Sequence, residues 1–172
     1  MFEQGQKVIY GSNGVCVIEE IVTREDPMLG EKLTYVIRFS GGMTSYVPVD
    51  SPVFMRALLT EEEAGRVIAE YGAIATKEFD GSNSKALADQ YRAILGRHDP
   101  RELFCLYKSL KTRIEQAKQN GKKPGAMSER YSALALDSVL TELCEVLRRD
   151  RADVLASLGI DPADAEVSGR FA

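Results

Sequence analysis

The chain has 172 residues, 44% hydrophobic and 28% charged, with a formal net charge of -4; this is an ordinary globular composition and excludes a chain disordered throughout. It contains no run of about 18 apolar residues, which excludes a membrane-spanning helix, and the opening Met1–Lys7 lacks the apolar core of a secretory signal. Three widely spaced cysteines, Cys16, Cys105 and Cys144, suggest neither a disulfide framework nor a zinc site; a reducing, cytoplasmic setting is expected, with all three as small packing residues.

The first sixty residues are expected to be β. Lys7–Tyr10, Val15–Val22, Leu33–Phe39 and Thr44–Val49 are short runs rich in Val, Ile and Tyr. Gly11-Ser12-Asn13-Gly14, Asp26-Pro27 with Gly30, and Gly41-Gly42 separate them as turns. Short strands with short links predict a small Tudor- or SH3-like barrel over residues 1–60, since an open sheet of this size buries little surface.

At Thr60 the periodicity becomes helical. Thr60-Glu61-Glu62-Glu63 reads as a capping box opening a helix to about Thr76. Residues 61–81 are expected to form a linking helix and junction. Residues 82–160 are expected to form an all-α bundle, giving an α+β chain. Ser84 is expected to cap a helix ending near Gly96. Asp99-Pro100-Arg101-Glu102 is a stronger start, with Leu103, Leu106, Tyr107, Leu110 and Ile114 along one face. The next helix, capped at Ser128, carries Tyr131, Leu134, Ala135, Val139, Leu143 and Val146, a surface apolar enough to be central. A last helix spans Arg151 to Leu158 before Gly159, and residues 161–172 are expected to be a flexible tail.

Charge is unevenly placed. Residues 1–81 hold 7 Lys+Arg against 13 Asp+Glu, residues 85–130 hold 11 against 5, and residues 131–172 hold 4 against 8. The middle stretch alone is basic and suits phosphate contacts. No catalytic constellation is visible. The only histidine, His98, is expected in a solvent-exposed inter-helix turn. Gly11-Ser12-Asn13-Gly14 lacks the Lys-Ser/Thr end of a phosphate loop, and Glu61–Glu63 suit a helix start rather than a cation. No catalytic residue, metal, cofactor, membrane or small-molecule substrate is expected. What remains is a binding module whose strand Thr44-Ser45-Tyr46-Val47 offers an edge to another protein.

Gly5-Gln6-Lys7-Val8-Ile9-Tyr10, Gly14-Val15, Ile18 and Ile21 resemble the opening of the CarD/CdnL transcription-factor family, whose domain also occurs in the transcription-repair coupling factor. Glu20–Arg24, Tyr35-Val36-Ile37, Val47-Pro48-Val49 and Phe54-Met55-Arg56 continue the resemblance, which extends to about Val146. The resemblance implies a Tudor-like domain that binds the RNA polymerase β subunit. It also implies a helical domain beside promoter DNA at the upstream edge of the bubble, and modulation of open-complex stability without covalent chemistry.

Residue by residue, the family's polymerase-contact arginine falls on Arg24, and a second arginine falls on Tyr46. Arg24, Thr44, Ser45, Tyr46 and Val47 are therefore the expected polymerase contacts. The family's tryptophan wedge falls on Ser84, which has no ring to insert. The basic residues after it fall on Ala86 and Asp89. Phe79 and Tyr91 are the aromatic alternatives, although both suit core packing. The expected DNA-proximal residues are Ser84, Lys85, Arg92, Arg97 and Lys108, making weak, backbone-directed contacts to promoter DNA. The alternatives are a polymerase-bound adaptor without a DNA role, a scaffold barrel with another partner, and an enzyme with an unseen site.

Overall fold

The computed structural model describes residues 1–26, 28, 30–81 and 83–166. The chain divides into two compact units, residues 1–58 and residues from 59 onward.

The first unit is an antiparallel sheet of β1 (Lys7–Tyr10), β2 (Val15–Asp26), β3 (Gly30–Phe39), β4 (Thr44–Pro48) and β5 (Met55–Ala57), in the spatial order β4-β3-β2-β1-β5. The β-branched runs form β1 to β4 as their pattern predicts, while β2 and β3 extend further toward their shared hairpin. Between β1 and β2 the chain turns through Gly11–Asn13 and Gly14. Gly11 sits at φ +49, and a Cβ there would lie 3.2 Å from Val53 Cγ1, so both backbone and space call for glycine.

The expected barrel is corrected to an open sheet. Among the described residues no ladder joins β4 to β5, which form its two edges. The short β5 spends all three residues pairing with Val8, Ile9 and Tyr10 of β1. At the other edge Pro48 has no N–H to donate. The unit is instead held by one apolar face: Val8, Cys16, Ile18, Tyr35, Ile37 and Val47 are buried, with Phe2, Tyr10, Ile21, Phe39, Val49 and Met55 packed around them. Tyr35 satisfies its hydroxyl there by accepting from the Phe2 N–H at 2.9 Å. Burial pushes the Cys16 thiol up to about 11, so it packs as a neutral group.

The second unit comprises α1 (Glu61–Glu70), α2 (Ser84–Arg97), α3 (Pro100–Gln119), α4 (Ala126–Leu147), α5 (Arg151–Leu158) and α6 (Pro162–Glu166). Thr60 and Glu63 close the expected capping box of α1. The helix stops at Glu70, six residues before the expected end, and continues as a 3₁₀ turn over Tyr71–Ala73. Its terminal carbonyls find another partner: Lys108 Nζ donates to Tyr71 O at 3.2 Å, Gly72 O at 3.4 Å and Ile74 O. Ala64 and Val67 of α1 are buried in the same core as Leu103, Leu106, Leu136 and Leu140, so α1 belongs to the helical unit rather than to a separate link. The apolar α4 is the central element, burying Leu136, Val139, Leu140 and Leu143.

Several helix ends differ from expectation. Asn83, not Ser84, caps α2, its Oδ1 accepting from Ala86 N at 2.9 Å. Asp99 caps α3, but Glu102 turns away from the cap to bind Arg97. Ser128 is buried inside the first turn of α4, which begins at Gly125 without a side-chain cap. The expected exposed histidine is corrected as well: His98 is fully buried. It terminates α2 in the left-handed region at φ 50, its N–H donating to Ile94 O, and this lets the chain reverse at once into α3. Residues 162–166 of the expected tail form α6, with Ala165 buried; residues 167–172 lie outside the described residues.

Candidate functional site

A single irregularity in β2 decides which side chains the sheet shows to solvent. Ile18 pairs with Ile37 and Glu20 with Val36, so Glu19 is one residue extra. A one-residue bulge exchanges the two faces of a strand beyond it. Before the bulge Cys16 and Ile18 point into the core; after it Ile21 does, and Glu20, Val22 and Arg24 point outward. Without the bulge Arg24 would share the parity of Ile18 and face the apolar interior.

Across β2, β3 and β4 the outer face presents Val17, Glu20, Val22 and Arg24 on β2, Lys32, Thr34, Val36 and Arg38 on β3, and Thr44, Tyr46 and Pro48 on β4. The three cations on β2 and β3 differ in their partners. Lys32 donates to Asp50 at 2.9 Å, and this bond with the lysine's charge lowers the Asp50 carboxyl below its ordinary value. Arg38 donates through Nε to the bulge residue Glu19 at 2.6 Å. Arg24 has no carboxylate partner among the described residues. Its guanidinium carbon lies instead 4.1 Å from the centroid of the Tyr46 ring. Tyr46 is 55% exposed, so the pair lies at the surface.

The outer rim of β4 is an unpaired edge. Phe39 N donates to Met43 O and Val49 N to Leu33 O. This phase places the odd-numbered residues of β4 in the hydrogen-bonded pairs with β3. The N–H and C=O groups of Thr44 and Tyr46 therefore point away from the sheet. Pro48 ends the row of donors. Of the expected contact residues, Arg24, Thr44 and Tyr46 are exposed, Ser45 is half-buried, and Val47 is a core residue at 3% exposure. Met43, at the head of β4 and 72% exposed, extends the apolar border beyond Tyr46. Only its strand-edge placement, which alternation does not specify, marks it out.

Residues 2–58 match the family model described as CarD-like/TRCF RID domain. The N-terminal unit is a CarD-like domain. The match coincides with the sheet unit and includes its bulge and its free edge. This type of domain implies an interaction with RNA polymerase. No curated protein matches the chain. Among the described residues no helix is long and apolar enough to cross a membrane.

Outside the CarD-like domain the expected DNA-proximal residues sit along α2 and α3. Arg92 pairs with Asp89 one turn before it. Arg97 donates through Nε and Nη2 to Glu102, whose hydrogen bond holds the guanidinium pKa above its ordinary value. Lys108 is half-buried on the three carbonyls described above. Ser84 and Lys85 are exposed in the first turn of α2, and Lys85 makes no ion pair among the described residues. The aromatic alternatives are core residues. Tyr91 is fully buried between Phe79, at 5.3 Å between ring centroids, and Tyr131, at 5.2 Å. A polar groove of about 450 Å³ lies beside Thr76–Asp80, with Lys77 and Arg113 in its lining.

Proposed function

We propose that this protein is a transcription regulator that docks on the β subunit of RNA polymerase through the β4 edge and Arg24 of its CarD-like domain, and that it alters the stability of the promoter open complex. The observation that carries the docking reading is the edge itself. Thr44 and Tyr46 turn their backbone groups outward, and the Tyr46 ring lies against Arg24, which has no carboxylate partner among the described residues. A partner strand added there gains backbone hydrogen bonds, and Arg24 supplies the side-chain contact that sets orientation. No covalent chemistry enters this reading: the protein acts by binding, in the cytoplasm where polymerase is found.

In this reading the helical unit lies near upstream DNA and adds weak phosphate contacts, with polymerase supplying the local concentration. The adaptor alternative, in which the helices bind another protein and not DNA, draws support from a specific observation. Arg92, Arg97 and Lys108 are already engaged within the chain, which leaves Lys85 as the one cation of the expected set without a partner among the described residues.

The test uses the full chain. Arg24→Glu is expected to weaken capture of the polymerase β subunit on the order of 100-fold with an unchanged Tm. Retained capture would remove the docking reading. Lys85→Glu is expected to shorten or lengthen open-complex lifetime in a reconstituted promoter assay. An unchanged lifetime, with docking intact, selects the adaptor.

A further inference from the structure

Strands β2 and β3 carry three outward cations, and Lys32 and Arg38 are held by carboxylates of the same unit. Arg24 is held by a ring. β2 and β4 are not neighbours; β3 lies between them. Arg24 pairs with Lys32 and Tyr46 with Val36, four residues apart along β3, so the two backbones are separated by roughly 9.5 Å across the strands and by about 13 Å along them. The two side chains meet only by leaning toward each other over β3. On this face Thr34 and Val36 of β3, which lie between the two, are 4% and 8% exposed.

We infer that Tyr46 is a positioning residue for polymerase docking, its ring fixing the Arg24 guanidinium beside the β4 edge so that one carboxylate of the added strand is recognised there. The inference rests on the docking reading above and names its chemistry. An unrestrained arginine loses side-chain freedom on binding, at a cost that grows with the number of rotatable bonds immobilised. A guanidinium already lying on a ring has surrendered part of that freedom before the partner arrives. The ring also covers the side of the guanidinium that rests on it, which leaves the N–H groups on the other side for a carboxylate, the acceptor whose two oxygens match the fork. A tyrosine at this position contributes no charge. Beside the β4 edge Arg24 is then the cation without a carboxylate partner among the described residues, and recognition depends on placement more than on long-range attraction.

The hydroxyl of Tyr46 has no part in this mechanism, so Tyr46→Phe separates the ring from the rest of the residue. Binding of full-length protein to RNA polymerase is measured for wild type, Tyr46→Phe, Tyr46→Leu, Arg24→Ala and the Tyr46→Leu/Arg24→Ala double variant, at two salt concentrations, with Tm recorded for each. Tyr46→Phe is expected to stay within about twofold of wild type. Tyr46→Leu is expected to weaken binding roughly three- to tenfold, the scale of a cation–π contact. In the Arg24→Ala background the same Tyr46→Leu change is expected to have no effect, because the residue it positions is gone. Salt dependence is expected to fall with Arg24→Ala and to remain with Tyr46→Phe.

Equal losses from Tyr46→Leu in both backgrounds would overturn the inference, since they show Tyr46 touching the partner directly; binding unchanged by Tyr46→Leu in the wild-type background overturns it too. If Arg24→Ala itself leaves binding unchanged, the docking reading fails instead, and the two failures are told apart within one data set.

Discussion

Arg24 in the sheet and Arg97 in the helices carry the same charged group in different circumstances. Arg97 donates two hydrogen bonds to Glu102, at 2.8 Å and 3.2 Å. Arg24 meets no carboxylate among the described residues and rests on Tyr46. The contrast extends to the expected contact residues of each unit: those of the sheet lie beside an open strand edge, whereas Arg92, Arg97 and Lys108 of the helices are bound within their own fold. A basic stretch in a sequence thus counts charges without counting the acids and carbonyls that claim them. Among the described residues, the CarD-like domain joins outward backbone donors on β4 to a cation that no carboxylate claims.

The comparison breaks most severely if the bulge is removed. Deleting Glu19 restores strict alternation along β2 and turns Arg24 toward the core. Burying that unpaired charge is expected to cost about 3 kcal/mol or more and to abolish polymerase capture, as read by urea unfolding and binding. In the helical unit, Leu136→Ala removes a fully buried side chain and is expected to cost about 2–5 kcal/mol. Polymerase capture by the sheet should survive it, at a temperature where the variant is still folded. Lys108→Met is a sharper probe of the expected DNA set. If its ammonium serves the carbonyls of Tyr71, Gly72 and Ile74, the variant loses about 1–2 kcal/mol of stability, whereas a purely DNA-contacting lysine leaves stability untouched.

The smallest effect concerns Cys16. Its thiol is raised from 9.0 to about 11 by burial. The folded state therefore holds this proton more tightly than the unfolded state does. The stability it contributes is complete below pH 9 and is lost as pH rises toward 11. Thermal unfolding of Cys16→Ala is expected to decline less steeply than wild type across that window.

Strand and helix identities were legible because each reflects local chemistry. β-branched runs between glycine turns gave β1 to β4, and Thr60 with Glu63 closed its box as the spacing implies. That the sheet stays open was not legible, because closure depends on whether two distant edges are long enough to pair, and β5 has only three residues. The burial of His98 was equally hidden: a turn between helices reads as solvent-exposed until the packing of both is known. At the candidate site, Arg24 and the β4 edge were marked by resemblance and by alternation. The bulge at Glu19 that aims Arg24, the pairs that neutralise Lys32 and Arg38, and the ring beneath the guanidinium are all cross-strand facts. They arise from register, which no single strand encodes.

Amide hydrogen exchange at Thr44 and Tyr46 tests the account most directly, because their N–H groups point away from the sheet and have no ladder partner among the described residues. In the free protein both are expected to exchange quickly, unlike the paired amides of β3. On addition of RNA polymerase both should become protected, in wild type but not in Arg24→Glu. Fast exchange at both positions in a saturated complex would contradict the claim that the β4 edge is the docking surface.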